Sequence, residues 1–111
     1  MTDTKHELMQ GTLDLLILKV LSGEKLHGWD AAKRIQLLSG DRFLIKQGSL
    51  YPALHRLEQK AWIEAEWGVS KGRSAKFYQV TESGHQQLEA ETSRWESFVE
   101  SVAMILGKKI V

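Results

Sequence analysis

The sequence contains no cysteine, which excludes disulfide bridges and zinc sites built on thiolates. Its apolar runs are too short to cross a bilayer, and its amino terminus lacks the basic stretch and apolar core of a secretion signal. It has one proline and no low-complexity tract, so its 111 residues predict one domain with an appended helix. These absences favour a cytoplasmic protein and give no support to a membrane partner.

Signatures of catalysis and of metal binding are also missing. The four histidines, at positions 6, 27, 55 and 85, do not have the spacing of metal ligands. No glycine-rich phosphate loop, no Gly-x-Ser-x-Gly turn and no His-Glu-x-x-His helix occurs. We therefore expect no metal, no cofactor and no enzymatic activity.

Positive charge is concentrated in the middle of the chain, although the net charge of the whole is +1. Residues 42–76 carry seven basic and three acidic side chains, a net charge of +4, whereas the segments on either side are net negative. This distribution is typical of a surface that binds nucleic-acid phosphates. A segment of this length also reaches +4 by chance, so the charge supports a nucleic-acid partner without proving one.

One segment, residues 48–60, carries the strongest pattern. Leu50, Leu54 and Leu57 recur at spacings of four and three, which places them on one face of a helix. Ala61 is next in this series. A second face combines groups that bind phosphate oxygens and base edges in the major groove of DNA. That face holds Ser49, Ala53, Arg56 and Lys60, flanked by Tyr51 and His55. An ordinary amphipathic surface helix would have the same periodicity.

A β-hairpin is predicted directly after this helix. Residues 62–67 alternate apolar and acidic side chains, which is typical of a half-buried strand, and residues 75–81 are rich in aromatic and β-branched side chains. Residues 68–74 between them are predicted as a flexible loop with Lys71 and Arg73 near its tip. A helix followed by a hairpin with a basic tip is the layout of a winged helix-turn-helix, whose hairpin, the wing, contacts DNA beside the helix.

Two helices are predicted before this unit. Residues 8–21 are apolar on more than one side, which indicates a helix buried on more than one side. Residues 28–38 form the second helix, with Trp29, Ala32 and Ile35 facing inward. Trp62 and Trp67, like Trp29, are expected to lie in the core or on the face of the sheet.

The remaining elements are a short strand and a long helix. Residues 43–46 are predicted to pair with the hairpin, after which the third helix begins near Ser49 with Pro52 in its first turn. Thr81 is a suitable N-cap for a helix over residues 82–106.

The carboxyl-terminal part of this last helix has more apolar surface than its own domain can cover. Leu88, Trp95 and Val102 are seven residues apart, and the spacing after Trp95 is that of a helix packing on helices. We predict a homodimer whose interface contains Leu8, Leu15, Leu88, Trp95, Phe98, Val99, Val102, Ile105 and Leu106. The predicted fold is mostly α with a small β-hairpin (α+β): a winged-helix DNA-binding domain over residues 1–81 and a dimerisation helix over residues 82–111.

The candidate contacts to double-stranded DNA are Lys46, Ser49, Tyr51, Pro52, His55, Arg56, Lys60, Lys71 and Arg73. Arg56 suits guanine or phosphate because its guanidinium is a planar fork, and the alternative is an ion pair with a surface carboxylate. Tyr51 is either a DNA contact or an aromatic that supports the core. Ser49 is expected to cap the helix and contact phosphate. Lys71 and Arg73 contact the DNA backbone through the wing or belong to a solvated loop.

Four motifs, in the right order, resemble the PadR-like family of winged-helix transcriptional regulators. They are residues 11–18 (Gly-Thr-Leu-Asp-Leu-Leu-Ile-Leu), residues 27–35 (from His27-Gly28-Trp29), residues 48–57 (from Gly48-Ser49-Leu50-Tyr51-Pro52) and residues 75–78, with Thr81 and Gly84. The resemblance implies a bacterial repressor that binds an inverted-repeat operator as a dimer. The chain is similar to the short subfamily, in which one carboxyl-terminal helix forms the dimer.

Two departures from the family pattern affect these expectations. Ala61 stands where many relatives have glycine, and alanine tolerates a left-handed backbone poorly, so the helix is expected to run one residue further or end without that cap. Ser74 and Gln79 replace residues that are often basic in relatives. The wing is therefore expected to bind phosphate less strongly.

The family resemblance also implies a small apolar or aromatic effector that releases the DNA. We expect such a compound near Trp95, with Met9 and Phe98, and the alternative is that Trp95 only packs the dimer interface. Two functions stay open at this point: a ligand-responsive DNA-binding repressor, and a winged-helix module for protein–protein contact without specific DNA binding.

Overall fold

The computed structural model describes residues 9–109 and has the predicted α+β architecture. Its elements are α1 (Gln10–Gly23), β1 (Leu26–His27), α2 (Gly28–Leu38), α3 (Gln47–Gln59), β2 (Ile63–Ser70), β3 (Arg73–Val80) and α4 (Glu82–Leu106). The sheet is antiparallel with the strand order β1-β3-β2. No helix among residues 9–109 is long and apolar enough to span a membrane. Helices α1 to α3 followed by a hairpin form a winged helix, so the predicted fold class is confirmed.

The core is built around α1, which packs against α2, α3, α4 and β3. Ile17, Leu18 and Leu21 of this helix are buried, and they meet the leucines of α3 in one cluster. A helix surrounded in this way needs apolar side chains around most of its circumference, which is the pattern of residues 8–21. Leu50, Leu54 and Leu57 are buried as their spacing predicts.

The third strand of the sheet does not come from residues 43–46, and that prediction is wrong. Leu26 and His27 pair with Tyr78 and Phe77 instead. Residues 43–46 have no strand pairing because the turn after α2 directs them into α3. The backbone N–H of Phe43 donates to the Ser39 hydroxyl at 3.0 Å, and Ile45 is buried beneath the connection.

Helix α3 begins at Gln47, two residues before the predicted start. Its N-cap is Lys46, whose side chain accepts no capping hydrogen bond, so Ser49 does not cap the helix. Pro52 is the sixth residue of the helix and lies beyond the first turn. Because proline has no N–H, the carbonyl of Gly48 lacks its usual intrahelical donor, and the exposed position of both residues leaves that carbonyl to solvent.

The end of α3 contradicts the expectation for Ala61. Ala61 adopts a left-handed backbone with φ of 60° and forms the left-handed cap at the end of α3. Its N–H donates to Glu58, and the N–H of Trp62 donates to Leu57, which is the Schellman arrangement. The carbonyl of Ala61 accepts hydrogen bonds from the Thr81 and Ser83 hydroxyls at 2.6 and 3.0 Å. These tertiary bonds hold the strained residue in place.

The wing is more regular than the predicted flexible loop. Its strands extend to Ser70 and Arg73, and only Lys71 and Gly72 form the turn. Both turn residues have positive φ, 54° and 77°, which is the signature of a type I′ hairpin. Trp67 lies on a face of the sheet, one of its two predicted places, and it is 72% exposed because the hairpin extends past the body of the protein.

The start of α4 is attached to the winged helix. The Thr81 hydroxyl accepts from the N–H of Gly84 at 3.0 Å, which confirms Thr81 as the N-cap. Gly84 lies so close to the backbone that a Cβ there would overlap the carbonyl oxygen of Trp62. Leu88 packs against the core, whereas most of the helix beyond it is exposed.

Candidate nucleic-acid interface

The outward face of α3 differs from the predicted one by part of a turn. Gly48, Pro52, His55 and Gln59 follow each other at spacings of four, three and four, and all are exposed with Tyr51 beside them. The predicted stripe of Ser49, Ala53, Arg56 and Lys60 lies along the side of the helix instead. Ala53 in that stripe is fully buried. Sequence reasoning missed Gly48 and Gln59, although their spacing from His55 is the signal that identifies them.

Arg56 has a partner within the protein. Its guanidinium donates to both carboxylate oxygens of Asp14 on α1, at 2.8 and 3.4 Å. Both side chains are largely buried, with exposed fractions of 28% and 16%. The predicted alternative to a DNA contact is an ion pair with a surface carboxylate, and the actual partner of Arg56 is 42 residues away in the chain. The ion pair joins α3 to the central helix.

Tyr51 lies on the side of α3 that faces the wing, and it is 46% exposed. Its ring packs over Gly28, where a Cβ would lie 3.5 Å from the Tyr51 ring and 2.7 Å from Leu54. The phenol of Tyr78 lies beneath this region, and burial raises its pKa while the nearby Lys76 ammonium lowers it in part. The ring of Tyr51 therefore packs on the body of the protein, as one of the two predicted roles requires, and part of the side chain is open to solvent.

The cations of the interface divide into free and bound groups. Among residues 9–109, Lys46, Lys71 and Arg73 form no ion pair, and all three are exposed. The Lys60 ammonium lies 4.7 Å from the ring of Trp62, and Lys76 pairs with Glu58 at 3.4 Å. The free cations lie at the two ends of the interface, one before α3 and two at the wing.

A second candidate site lies between α1 and α4, away from α3. A groove of about 640 Å³ runs between these helices and is lined mainly by apolar side chains, among them Leu15, Leu16, Phe43, Leu88 and Trp95. A neighbouring depression of about 250 Å³ brings together Met9, Trp95 and Phe98, the three residues predicted for an effector.

The predicted dimer residues fall into two groups in the structure. Leu88 packs partly against the core of its own chain, whereas Phe98, Ile105 and Leu106 are more than 60% exposed. Trp95 and Val102 are also exposed, and Leu15 and Val99 are half-buried. Leu8 lies outside the described residues.

Comparisons with known proteins agree with this architecture. The model of the "Transcriptional regulator PadR-like family" matches residues 17–90, more than half of the chain. The transcriptional regulator Rv3488 of Mycobacterium tuberculosis is 30% identical over 97 residues, which cover 87% of this chain and 88% of that protein.

Solved structures with a similar fold include a PadR-like regulator. The PadR-like transcriptional regulator BC4206 of Bacillus cereus superposes with a TM-score of 0.76 at 27% identity, covering 90% of this chain and 96% of its own. The smu.1704 protein of Streptococcus mutans superposes with a TM-score of 0.82 at 26% identity, covering 96% of both chains. The extent of the family match and these likenesses establish that the chain belongs to the PadR-like family of transcriptional regulators.

Proposed function

We propose that this regulator is a cytoplasmic repressor, that it binds an inverted-repeat operator as a homodimer, and that an apolar or aromatic compound releases it. The observation that carries the proposal is the surface formed by α3 and the wing. An exposed helix face with Tyr51 and His55 lies between free cations at Lys46, Lys71 and Arg73. Major-groove reading needs such a helix, and backbone binding needs such cations.

The outward face of α3 assigns different roles to the candidate residues. His55, Gln59 and the edge of Tyr51 are exposed and are proposed to reach base edges, whereas the exposed Lys46, Lys71 and Arg73 are proposed to bind phosphate. Ser49 and Lys60 lie at the side of the helix and are proposed as backbone contacts. Pro52 is proposed to pack against the wall of the DNA major groove. Arg56 acts mainly through Asp14, because DNA binding would have to break that ion pair.

A second copy of the chain is the proposed occupant of the groove between α1 and α4. The same chain presents an apolar ridge on α4, formed by Phe98, Val102 and Ile105, and an apolar groove beside it. A ridge and a groove on one chain allow a two-fold dimer in which the ridge of each copy packs along the groove of the other and leaves the end of the groove beside Trp95 open. Residues 1–81 are then the DNA-binding domain, and residues 82–111 form the dimerisation helix.

The effector is proposed to bind where the groove meets the depression around Trp95. The combined space lies within the range of small-molecule sites, and its walls are apolar with few polar groups. Binding there would change the packing of α4 on α1. The two recognition helices must meet half-sites about 34 Å apart, so a small change in their separation weakens the operator complex.

Titration of DNA binding against salt tests the DNA-binding part of the proposal. The DNA is the region upstream of the gene, and the comparison is with a scrambled duplex of equal length. The wild type is expected to prefer the upstream duplex, and Lys71→Gln is expected to lower the salt slope by about one for both duplexes. Lys33→Gln is the matched control, since Lys33 is exposed on α2 and forms no ion pair among residues 9–109. Weak binding without salt dependence would instead identify a protein–protein module.

Fluorescence titration with aromatic cations and phenolic compounds tests the effector part. Saturable quenching is expected for the wild type and is expected to be lost in Trp95→Ala, while light scattering still reports a dimer. Trp67→Phe, which changes an exposed indole on the wing, serves as the control and should retain binding. Saturable binding that survives Trp95→Ala would place the ligand elsewhere.

A further inference from the structure

We propose that the notch between the wing and the start of α2 binds the sugar–phosphate backbone of one operator strand, with Trp29 and Arg73 as its contact side chains. This inference rests on the proposed DNA-binding function and names the part of the DNA that the notch receives. Arg73 is already a candidate contact to the DNA backbone in the sequence, whereas Trp29 is predicted there in the core or on the face of the sheet, and the notch itself does not follow from the sequence.

The notch has a volume of about 480 Å³ and lies directly beside the outward face of α3. Tyr51 belongs to both, because its ring forms one wall of the notch and its edge flanks the helix face. Opposite it stands β3, which contributes Arg73, Ser74 and Lys76, and Trp29 closes the side formed by α2. A DNA strand whose bases face α3 therefore passes with its backbone along the notch.

One wall of the notch is an unpaired strand edge. Within residues 9–109, β1 pairs with β3 only at Phe77 and Tyr78, so the part of β3 nearer the turn has no neighbour on that side. Ser70 and Arg73 close the two-residue turn and form a hydrogen-bonded pair. Hydrogen bonding alternates along an antiparallel strand, so the N–H groups of Ser74 and Lys76 point away from β2 and towards the notch.

The groups around the notch are mostly hydrogen-bond donors. Arg73 is a cation without an ion pair among the described residues, and the indole of Trp29 has an N–H donor and no acceptor. Trp29 is 38% exposed, which leaves part of the ring free for contact. None of the described residues that line the notch is acidic. Donors beside aromatic rings suit a phosphodiester, whose phosphate accepts hydrogen bonds and whose sugar packs on a flat ring.

The test combines protein variants with operator duplexes in which one phosphate at a time is replaced by a neutral methylphosphonate. Trp29→Phe keeps a ring and removes the N–H, and Arg73→Gln removes the charge at an exposed turn. Each variant is expected to bind the unmodified operator about tenfold more weakly than the wild type. At one phosphate per half-site, the methylphosphonate should weaken the wild type similarly and add little to the loss in either variant.

The control is Lys108→Gln, which removes the charge of an exposed lysine after the end of α4, outside the notch. The loss of operator affinity caused by the control variant and the loss caused by each methylphosphonate should add. The proposal is overturned if both notch variants bind the unmodified operator as tightly as the wild type. It is equally overturned if their losses add to those of the methylphosphonates at every phosphate. A wild type without salt-dependent DNA binding would instead refute the proposed function itself.

Discussion

At the scale of single residues, Ala61 is one of three non-glycine residues with a positive φ within residues 9–109, and it is the one that ends α3. Ala61 takes the left-handed conformation that glycine adopts freely, and a left-handed backbone costs an alanine about 1 kcal/mol or more. The hydrogen bonds from Thr81 and Ser83 to its carbonyl offset that cost. Ala61 therefore retains the left-handed backbone that ends α3, although an alanine disfavours that conformation.

Ala61→Gly should stabilise the protein by about 1 kcal/mol, because glycine enters this conformation without strain. Gly107 provides a matched control, since it ends α4 with φ of 68° and has open space for a Cβ. Gly107→Ala should destabilise the protein by a similar amount. Urea denaturation at one fixed protein concentration measures both changes. A change in the free energy of unfolding with the same sign in both variants would contradict this account of the strain.

Two arginines show that residue type alone does not decide whether a side chain is paired within the protein or available to contact DNA. Arg56 and Arg73 are both candidates for DNA contact in the sequence, and the same guanidinium chemistry supports each. Only the fold shows that Asp14 occupies the first, while the second has no ion-pair partner among residues 9–109. The difference arises because Asp14 lies 42 positions from Arg56, a separation that no local pattern reports.

At the scale of elements, α1 connects the two candidate sites. Thr12 and Leu15 line the groove and depression against α4, while Asp14 on the same helix holds Arg56 of α3. Helix α1 is therefore joined to α3 through a charged contact as well as through packing. The contact lies at low exposure, where a lost partner is costly.

A double-mutant cycle on Asp14→Ala and Arg56→Ala should give a coupling free energy of about 1 kcal/mol or more. Each single change leaves a partly buried charge without its partner, so the double variant should be more stable than the sum of the two losses predicts. Thermal or urea unfolding measures stability, and operator binding is measured in parallel. Loss of DNA affinity by Arg56→Ala without loss of stability would return Arg56 to the DNA interface.

Helix α4 shows how periodicity predicts an element better than it predicts its partners. Its bounds agree with the predicted residues 82–106, and Thr81 caps it as expected. The apolar series does not reveal that Leu88 packs on the chain's own core while Phe98 does not. The same apolar spacing is found in the part of α4 that packs on its own chain and in the part that is exposed, so the spacing does not show where one part ends and the other begins.

At the scale of the whole molecule, the described chain measures 52 × 36 × 21 Å and is elongated by the exposed part of α4. Large apolar side chains along this part account for much of the exposed apolar surface. An isolated chain of this shape would leave them in water, and association of two copies would remove them from it.

Phe98→Glu combined with Val102→Glu should convert the dimer into monomers, because two charges per chain would be buried at the interface. Ala90→Glu adds the same charge to an exposed part of α4 outside the apolar ridge and should leave the dimer unchanged. Light scattering over a range of protein concentrations distinguishes the two states. A dimer undisturbed by the double change would show that α4 does not form the interface.

The sequence by itself determined the number and type of the main elements, the buried leucines of α3 and the N-cap of α4. These features depend on local periodicity and capping, which are properties of neighbouring residues. The tertiary structure decided which face of α3 is open, where the third strand comes from, which cation is paired, and that Trp29 borders a notch. Each of these depends on residues far apart in the chain, because burial and ion pairing are set by packing between elements.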